Sequence, residues 1–326
     1  MILWAAFAVF ASFYFSPSLA VQYDIDSSCS FKLANVGAAI EEAILMARRS
    51  VERLDNAAAD HTNADDHTTT DHTAAGHIIA DHTIADHTAA DHDIGILFSR
   101  IFHTTISDQE AVQDVRNIMD SIANITRNID GGEADLTLYC DNDARWQQGP
   151  GTYYLPTDPH FKLPRAPACR SPGTLATMYS VPLDHPRHDK LFAQITVCDR
   201  LATMSLSTLQ DYLGFDWSTG GLMDPTVNPY HLLSVYLLHE LTHFPAWQRP
   251  LTEESGVVYD VGPNSYWWQN IIQKPREDAL INADNYAFFG LLAHLGDSGL
   301  KLSDDGWQVG TLVHTEFRPM MNFGFF

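Results

Sequence analysis

Five consecutive residues, His239-Glu240-Leu241-Thr242-His243, combine the residue types and spacing of a hydrolytic zinc site, the H-E-x-x-H pattern. Residues four apart on a helix lie about 6 Å apart along the axis and nearly in line, so both imidazoles can reach one metal ion. Glu240 then projects beside that ion, placed to take a proton from a water rather than to bind the metal. The expected roles are metal ligand for His239 and His243, with one Zn2+, and general base for Glu240. The flanking residues suit a helix over 228–244. Asn228 can cap it, Pro229 fits the first turn, and Leu232, Val235, Tyr236 and Leu238 form an apolar face. Pro245 ends it, because the residue before a proline avoids the α region.

A chain of 326 residues can hold one large domain or two small ones. Residues 2–15 are almost wholly apolar yet too short to span a bilayer, and Ser18-Leu19-Ala20 is an acceptable cleavage site. Residues 1–20 therefore read as a signal peptide, and no later run is long and apolar enough for a membrane helix. Cys29, Cys140, Cys169 and Cys198 are spaced too widely for a zinc knuckle and suit two disulfides, with three pairings open. The expectation is a secreted, extracellular protein. A net charge of −22 argues against nucleic acid or an anionic membrane as partner. Asn124-Ile125-Thr126 is a glycosylation sequon on a predicted exposed helix end.

The elements that must position the site are legible in part. Residues 31–54 read as a helix, with Ile40, Ile44, Ala47, Val51 and Leu54 at spacings of three and four. From Ala57 to Asp93 the chain repeats a unit of the form Ala-Asp-His-Thr-x, whose period matches neither helix nor strand. This stretch has no aromatics and few large apolar residues, so it reads as a disordered insertion, a tandem expansion in a tolerant loop. Its seven histidines, of 16 in the chain, permit weak metal binding.

Order resumes near Ile94. Ser107-Asp108-Gln109-Glu110 opens a helix with Val112, Val115, Met119, Ile122 and Ile125 on one stripe, and Asp130-Gly131-Gly132 stops it. Leu136 to Cys140 and Ile195 to Cys198 read as short strands, and residues 141–190 as long loops tied by Cys169. A brief helix is expected over Ser205 to Tyr212, and a last strong one from about Pro275 to Leu295. On that helix Leu280, Ala283, Ala287, Phe288 and Leu291 make the apolar face, and Asp284 falls at its edge.

A catalytic zinc needs three protein ligands and an open position. His294 and His314 are available, but neither continues the motif as H-x-x-G-x-x-H, and Glu277 could serve only from an inward-turned first turn. The loop Tyr259-Asp260-Val261-Gly262-Pro263-Asn264-Ser265-Tyr266 and the segment Asn282-Ala283-Asp284-Asn285-Tyr286-Ala287 complete a second pattern. Together with the five-residue motif, they resemble the fungal deuterolysin group, the aspzincins, which include the lysine-specific metalloendopeptidases. That pattern runs H-E-x-x-H, then G-T-x-x-D-x-x-Y-G, then a helix carrying N-A-D-x-Y.

The resemblance implies Asp260 as the third zinc ligand and Tyr266 as the phenol that steadies a tetrahedral intermediate. The Gly-Thr is absent here, and six positions separate Asp260 from Tyr266 where the pattern has three, so Tyr259 stands as the alternative phenol. Asp284 is expected at the rim, orienting a ligand or meeting a substrate side chain; the reversed assignment, Asp284 as ligand, is the alternative. Lysine-specific members carry an amine-binding glutamate where this chain has Ala287, so that specificity does not carry over. Resemblance and order also suggest the pairs Cys29–Cys140 and Cys169–Cys198.

The expected fold is α+β, a mostly helical, zincin-like metalloprotease domain with a small sheet and long loops. It spans 21–326 as a single domain, interrupted by the insertion at 57–93. The expected function is a secreted zinc endopeptidase acting on protein or peptide substrates, the alternative a secreted zinc-binding protein that does not cut.

Overall fold

Helix α1, Val36–Asp65, is the longest element, and its apolar positions explain why. Ile40, Ala43, Ile44, Ala47, Val51 and Leu54 are all buried along one face at spacings of three and four. The computed structural model describes residues 21–30, 35–65, 94–180, 192–204, 207–209, 232–244, 258–262 and 264–296, with the backbone alone at 60–65 and 202–204. The helix continues eleven residues past its expected end at Leu54, nine of them inside the repeat. Ala57-Ala58-Ala59 supply strong helix formers there, and nothing breaks the turn. The remainder of the insertion, residues 1–20 and most of the helix expected over 205–212 lie outside the described residues.

Helix α2 covers residues 94–102, and α3 covers Gln109–Ala123. Asp108 caps α3, its carboxylate accepting from the Ala111 amide at 3.3 Å. The helix ends at Ala123 rather than at Asp130-Gly131-Gly132, because the next residues are claimed by a sheet. Strand β2, Thr126–Arg127, pairs parallel with β1, Gln22–Ile25. Asn124 is exposed at the helix end, where the sequon was expected.

The main sheet has the order β2-β1-β3-β8-β7, with β3 at Leu136–Tyr139, β7 at Ala176–Ser180 and β8 at Ala193–Val197. Its pairings are parallel except β7, which runs antiparallel to β8 at the edge. A second sheet joins β4, Gln147–Gly149, β5, Thr152–Leu155, and β6, Asp158–Leu163. Residues 141–180 thus contain four strands, β4–β7, joined by turns, where long loops were expected over 141–190; residues 181–190 lie outside the described residues. Trp146, Leu155, Phe161 and Tyr179 close a small core of their own, with Trp146 edge-on to both Phe161 and Tyr179. Asp143 sits fully buried at the junction of the two sheets, accepting from Tyr179 Oη, Thr196 Oγ1 and the Cys169 amide at 2.7–2.9 Å. The disulfides are Cys29–Cys140 and Cys169–Cys198, the pairing suggested from the sequence.

Two short, almost wholly interior helices complete the fold: α4, Leu233–Thr242, and α5, Ala283–Leu295. Every residue of α4 and all of α5 except His294 are buried, so neither has the polar face of a surface helix. The backbone of Leu232 is extended, which starts α4 at Leu233 rather than at Asn228; Asn228 and Pro229 lie outside the described residues.

The helix expected over 275–295 is divided. A single turn, Arg276–Ala279, precedes an extended Asn282, which bridges to Tyr259 before α5 begins. Helix α1 packs against α3, α4 and α5, and α4 against α5. The last two cross at Gly290, where any Cβ would run into the Leu238 side chain. From the far side, Phe98 and Phe102 of α2 pack on Phe289, and Phe102 also packs on Tyr286. Among the described residues no helix is long and apolar enough to cross a membrane.

Candidate metal centre

The last turn of α4 brings His239 and His243 to the wall of a cavity of about 570 Å3. Their rings are fixed from behind by different partners. His239 Nδ1 lies 2.7 Å from Asp284 Oδ1, and His243 Nδ1 lies 3.0 Å from the carbonyl of Val258. A carbonyl or a carboxylate can only accept, so each Nδ1 carries a hydrogen and each Nε2 turns toward the cavity. The two Nε2 atoms stand 3.3 Å apart.

Asp260 supplies the third donor. Its Oδ1 is 3.3 Å from His239 Nε2 and 3.8 Å from His243 Nε2. A tetrahedral ion with ligands at about 2.0–2.1 Å holds its donors roughly 3.3–3.4 Å apart. The observed triangle of 3.3, 3.3 and 3.8 Å therefore fits one metal ion with little movement. His239, His243 and Asp260 can hold a metal ion, as the sequence suggested, and they are the group of this kind among the described residues.

The charges of these side chains favour a cation at the same point. Burial opposes a charge on His239, but the hydrogen bonds of Asp260 and Asp284 outweigh it and hold the imidazolium well above its ordinary value. Burial and then the charge on His239 lower His243 to about 4. Burial would raise Asp260, yet its hydrogen bond to His239 and the charge there bring it down to about 2. Beyond the hydrogen on each Nδ1, the pair thus takes up one further proton, which His239 carries on Nε2 facing Asp260. A metal ion would replace that proton with a larger positive charge.

Glu240 also lines the cavity and is not one of the three donors. Burial raises its carboxyl to about 7, against the pull of His239 and of a hydrogen bond from the Met178 amide on β7. A scan of protein-family models and searches of curated proteins and of solved structures return no match. The reading of the site therefore rests on its own geometry.

The remaining expected residues fall into place unevenly. Asp284 is not at a rim: it is 2 % exposed, because α5 is interior on every side and has no edge. Its second oxygen accepts from the Trp267 amide at 3.0 Å, so one carboxylate orients His239 and pins the loop that follows Asp260. Tyr266 lines the cavity, but its hydroxyl is already engaged. Its hydroxyl donates to Asp260 Oδ2 at 2.7 Å, and its ring stacks on His239 with centroids 5.8 Å apart. Tyr259 is 47 % exposed on the cavity wall, and among the described residues its hydroxyl has no hydrogen-bond partner. Glu277 is exposed and outside the donor group, His294 Nε2 lies 3.9 Å from Glu42 instead, and His314 is outside the described residues.

Sequence reasoning missed Asn282. Its amide group donates to the Ser265 carbonyl and to Asn285 Oδ1, while its oxygen accepts from the Val261 amide at 3.1 Å. It clamps both ends of the Asp260 loop to the start of α5. The signal available was the pair of amides Asn282 and Asn285 flanking Asp284 at the start of a mostly apolar helix, since buried amides must find partners.

Proposed function

We propose that the protein is a secreted, zinc-dependent endopeptidase of deuterolysin-like kind, with a zincin-like fold. Two imidazoles and one carboxylate are a donor set that suits zinc, and three protein ligands leave a position open for chemistry. When bound, zinc would supply Lewis-acid polarisation of a carbonyl and acidify a water.

The chain's own residues would do the rest. Glu240 titrates near neutrality because it is buried, so it can accept a proton from the attacking water and return it to the leaving amine. Asp284 holds His239 in the tautomer that ligates. Tyr266 steadies Asp260 through its hydroxyl, which leaves Tyr259 as the phenol able to meet a developing oxyanion. Strand β7 lines the cavity, and among the described residues no strand pairs with its outer edge. An extended peptide can add to that edge as a further strand. The signal-like segment at residues 1–20 and the two disulfides support secretion.

The observation that carries this reading is an unliganded, buried glutamate beside three donors set at tetrahedral spacing. The engagement of Tyr266 with Asp260 favours a second reading, a secreted zinc-binding protein that does not cut. One pair of measurements separates them. Wild type should hold one zinc and cleave casein, whereas Glu240→Gln should keep the zinc and lose cleavage by about 100-fold or more. Equal cleavage by both proteins would dismiss the mechanism, and a zinc-loaded wild type without activity would favour the second reading.

A further inference from the structure

Lys274 is 8 % exposed, and among the described residues its ammonium has one hydrogen-bond partner, the Val261 carbonyl at 2.8 Å. No carboxylate of the described residues pairs with it. An ammonium withdrawn from water without a counter-charge costs free energy, and the chemistry proposed above makes no use of this one. Its place is accounted for by what it holds.

Val261 directly follows Asp260, and its peptide groups are gripped from both sides. The N–H donates to Asn282 Oδ1 at 3.1 Å, while the carbonyl takes the Lys274 ammonium. Asn282 is fully buried, and its amide hydrogens go to the Ser265 carbonyl and Asn285 Oδ1, so its acceptor cannot swing away. Before Asp260, Tyr259 is bridged to the same segment. Its N–H donates to the Ile281 carbonyl at 2.9 Å, and its carbonyl accepts from the Ala283 amide at 3.3 Å. Both neighbours of Asp260 are therefore fixed. Lys274 reaches this point from the turn between the short helix Trp268–Ile271 and the single turn Arg276–Ala279. Arg276 braces that turn against Asp108 at the start of α3, at 2.7 Å.

The far end of the loop shows how firmly it is held. Trp267 lies at φ 80, ψ 141, a backbone that glycine adopts freely and a residue with a Cβ avoids. Its amide donates to Asp284 Oδ2, and its carbonyl accepts from the amides of Asn270 and Ile271, each at 3.0 Å. Strain of this kind persists only where the surrounding structure enforces it. Ordering a loop costs backbone entropy, and contacts made before an ion arrives relieve the ion of supplying that free energy.

We propose that Lys274 is a positioning residue for the metal centre: with Asn282 it clamps the Val261 peptide and so presents Asp260, already in place, to the ion. This rests on the metal reading of the site and not on peptide cleavage. The test titrates Zn2+ and Co2+ into metal-free protein. Lys274→Met should weaken both by about 10–100-fold. It does so although it removes a positive charge near a cation site, and although an apolar side chain in a buried charge's place leaves stability in urea unchanged or raised. The visible spectrum of bound Co2+, which reports the donor set, should change in Lys274→Met and return in Lys274→Arg, which restores a donor. Arg276→Ala cuts the brace to Asp108 without touching the Asp260 loop, and should leave affinity and spectrum unaltered. In metal-free wild type the Val261 amide should exchange at least about 100-fold more slowly than in an unfolded chain, and Lys274→Met should erode that protection. Unchanged affinity and spectrum in Lys274→Met, or an unprotected Val261 amide in wild type, would overturn the proposal. Wild type that takes up neither ion, with the amide still protected, would instead refute the metal reading on which the proposal rests.

Discussion

Two regions deliver carboxylates to the same histidine, and they are built in opposite ways. Asp284 comes from α5, an interior helix crossed closely by α4 at Gly290 and buttressed by Phe98 and Phe102. It is 2 % exposed and bonded through both oxygens, to His239 and to the Trp267 amide. Asp260 comes from a loop, with its side chain 36 % exposed, and is steadied by one phenol. The buried carboxylate faces the outer nitrogen of His239 and the exposed one the inner nitrogen. Rigid elements hold the part of the site that must not move, while the loop supplies the residue that must face solvent and ligand.

This contrast predicts unequal mutants. Asp260→Ala should produce the largest effect, removing one of three donors and emptying the site at micromolar zinc, measurable by metal analysis after dialysis. Asp284→Ala should keep the three donors and lower zinc affinity by about 10–100-fold. It should also destabilise the fold by about 1–3 kcal/mol, since the Trp267 amide and the His239 ring lose their acceptor. If Asp284→Ala empties the site and Asp260→Ala does not, the two regions have been assigned the wrong way round. A smaller effect is expected at the helix crossing. Gly290→Ala should cost about 1–3 kcal/mol in urea unfolding, because its Cβ would push Leu238 out of place, with zinc stoichiometry retained. No loss of stability there would show that the crossing is looser than its geometry implies.

The sequence revealed the inner side of the site better than its supports. His239, Glu240 and His243 declare themselves because helical spacing alone puts the two imidazoles on one face. Asp260 was reachable only through resemblance, since a loop residue has no periodicity to betray it. Asp284 was expected to orient a ligand from the rim of the site; it does bond His239, but from a buried position, because face-and-edge reasoning assumes a surface helix and α5 is buried almost all round. Strands β1, β2 and β4–β7 were missed because each has at most one buried residue and so no apolar alternation to read, whereas β3, no longer than most of them, alternates. The strain at Trp267 was invisible, as no sequence pattern reports a tryptophan at positive φ.

The central claim is that His239, His243 and Asp260 share one zinc ion, with Asp284 held behind His239. Anomalous diffraction at the zinc edge, from crystals of the zinc-loaded protein, tests it most directly. The account predicts a single peak about 2.0–2.2 Å from His239 Nε2, His243 Nε2 and one Asp260 oxygen, with Asp284 still bonded to His239 Nδ1. A peak coordinated by Asp284, or none at this site, would contradict it.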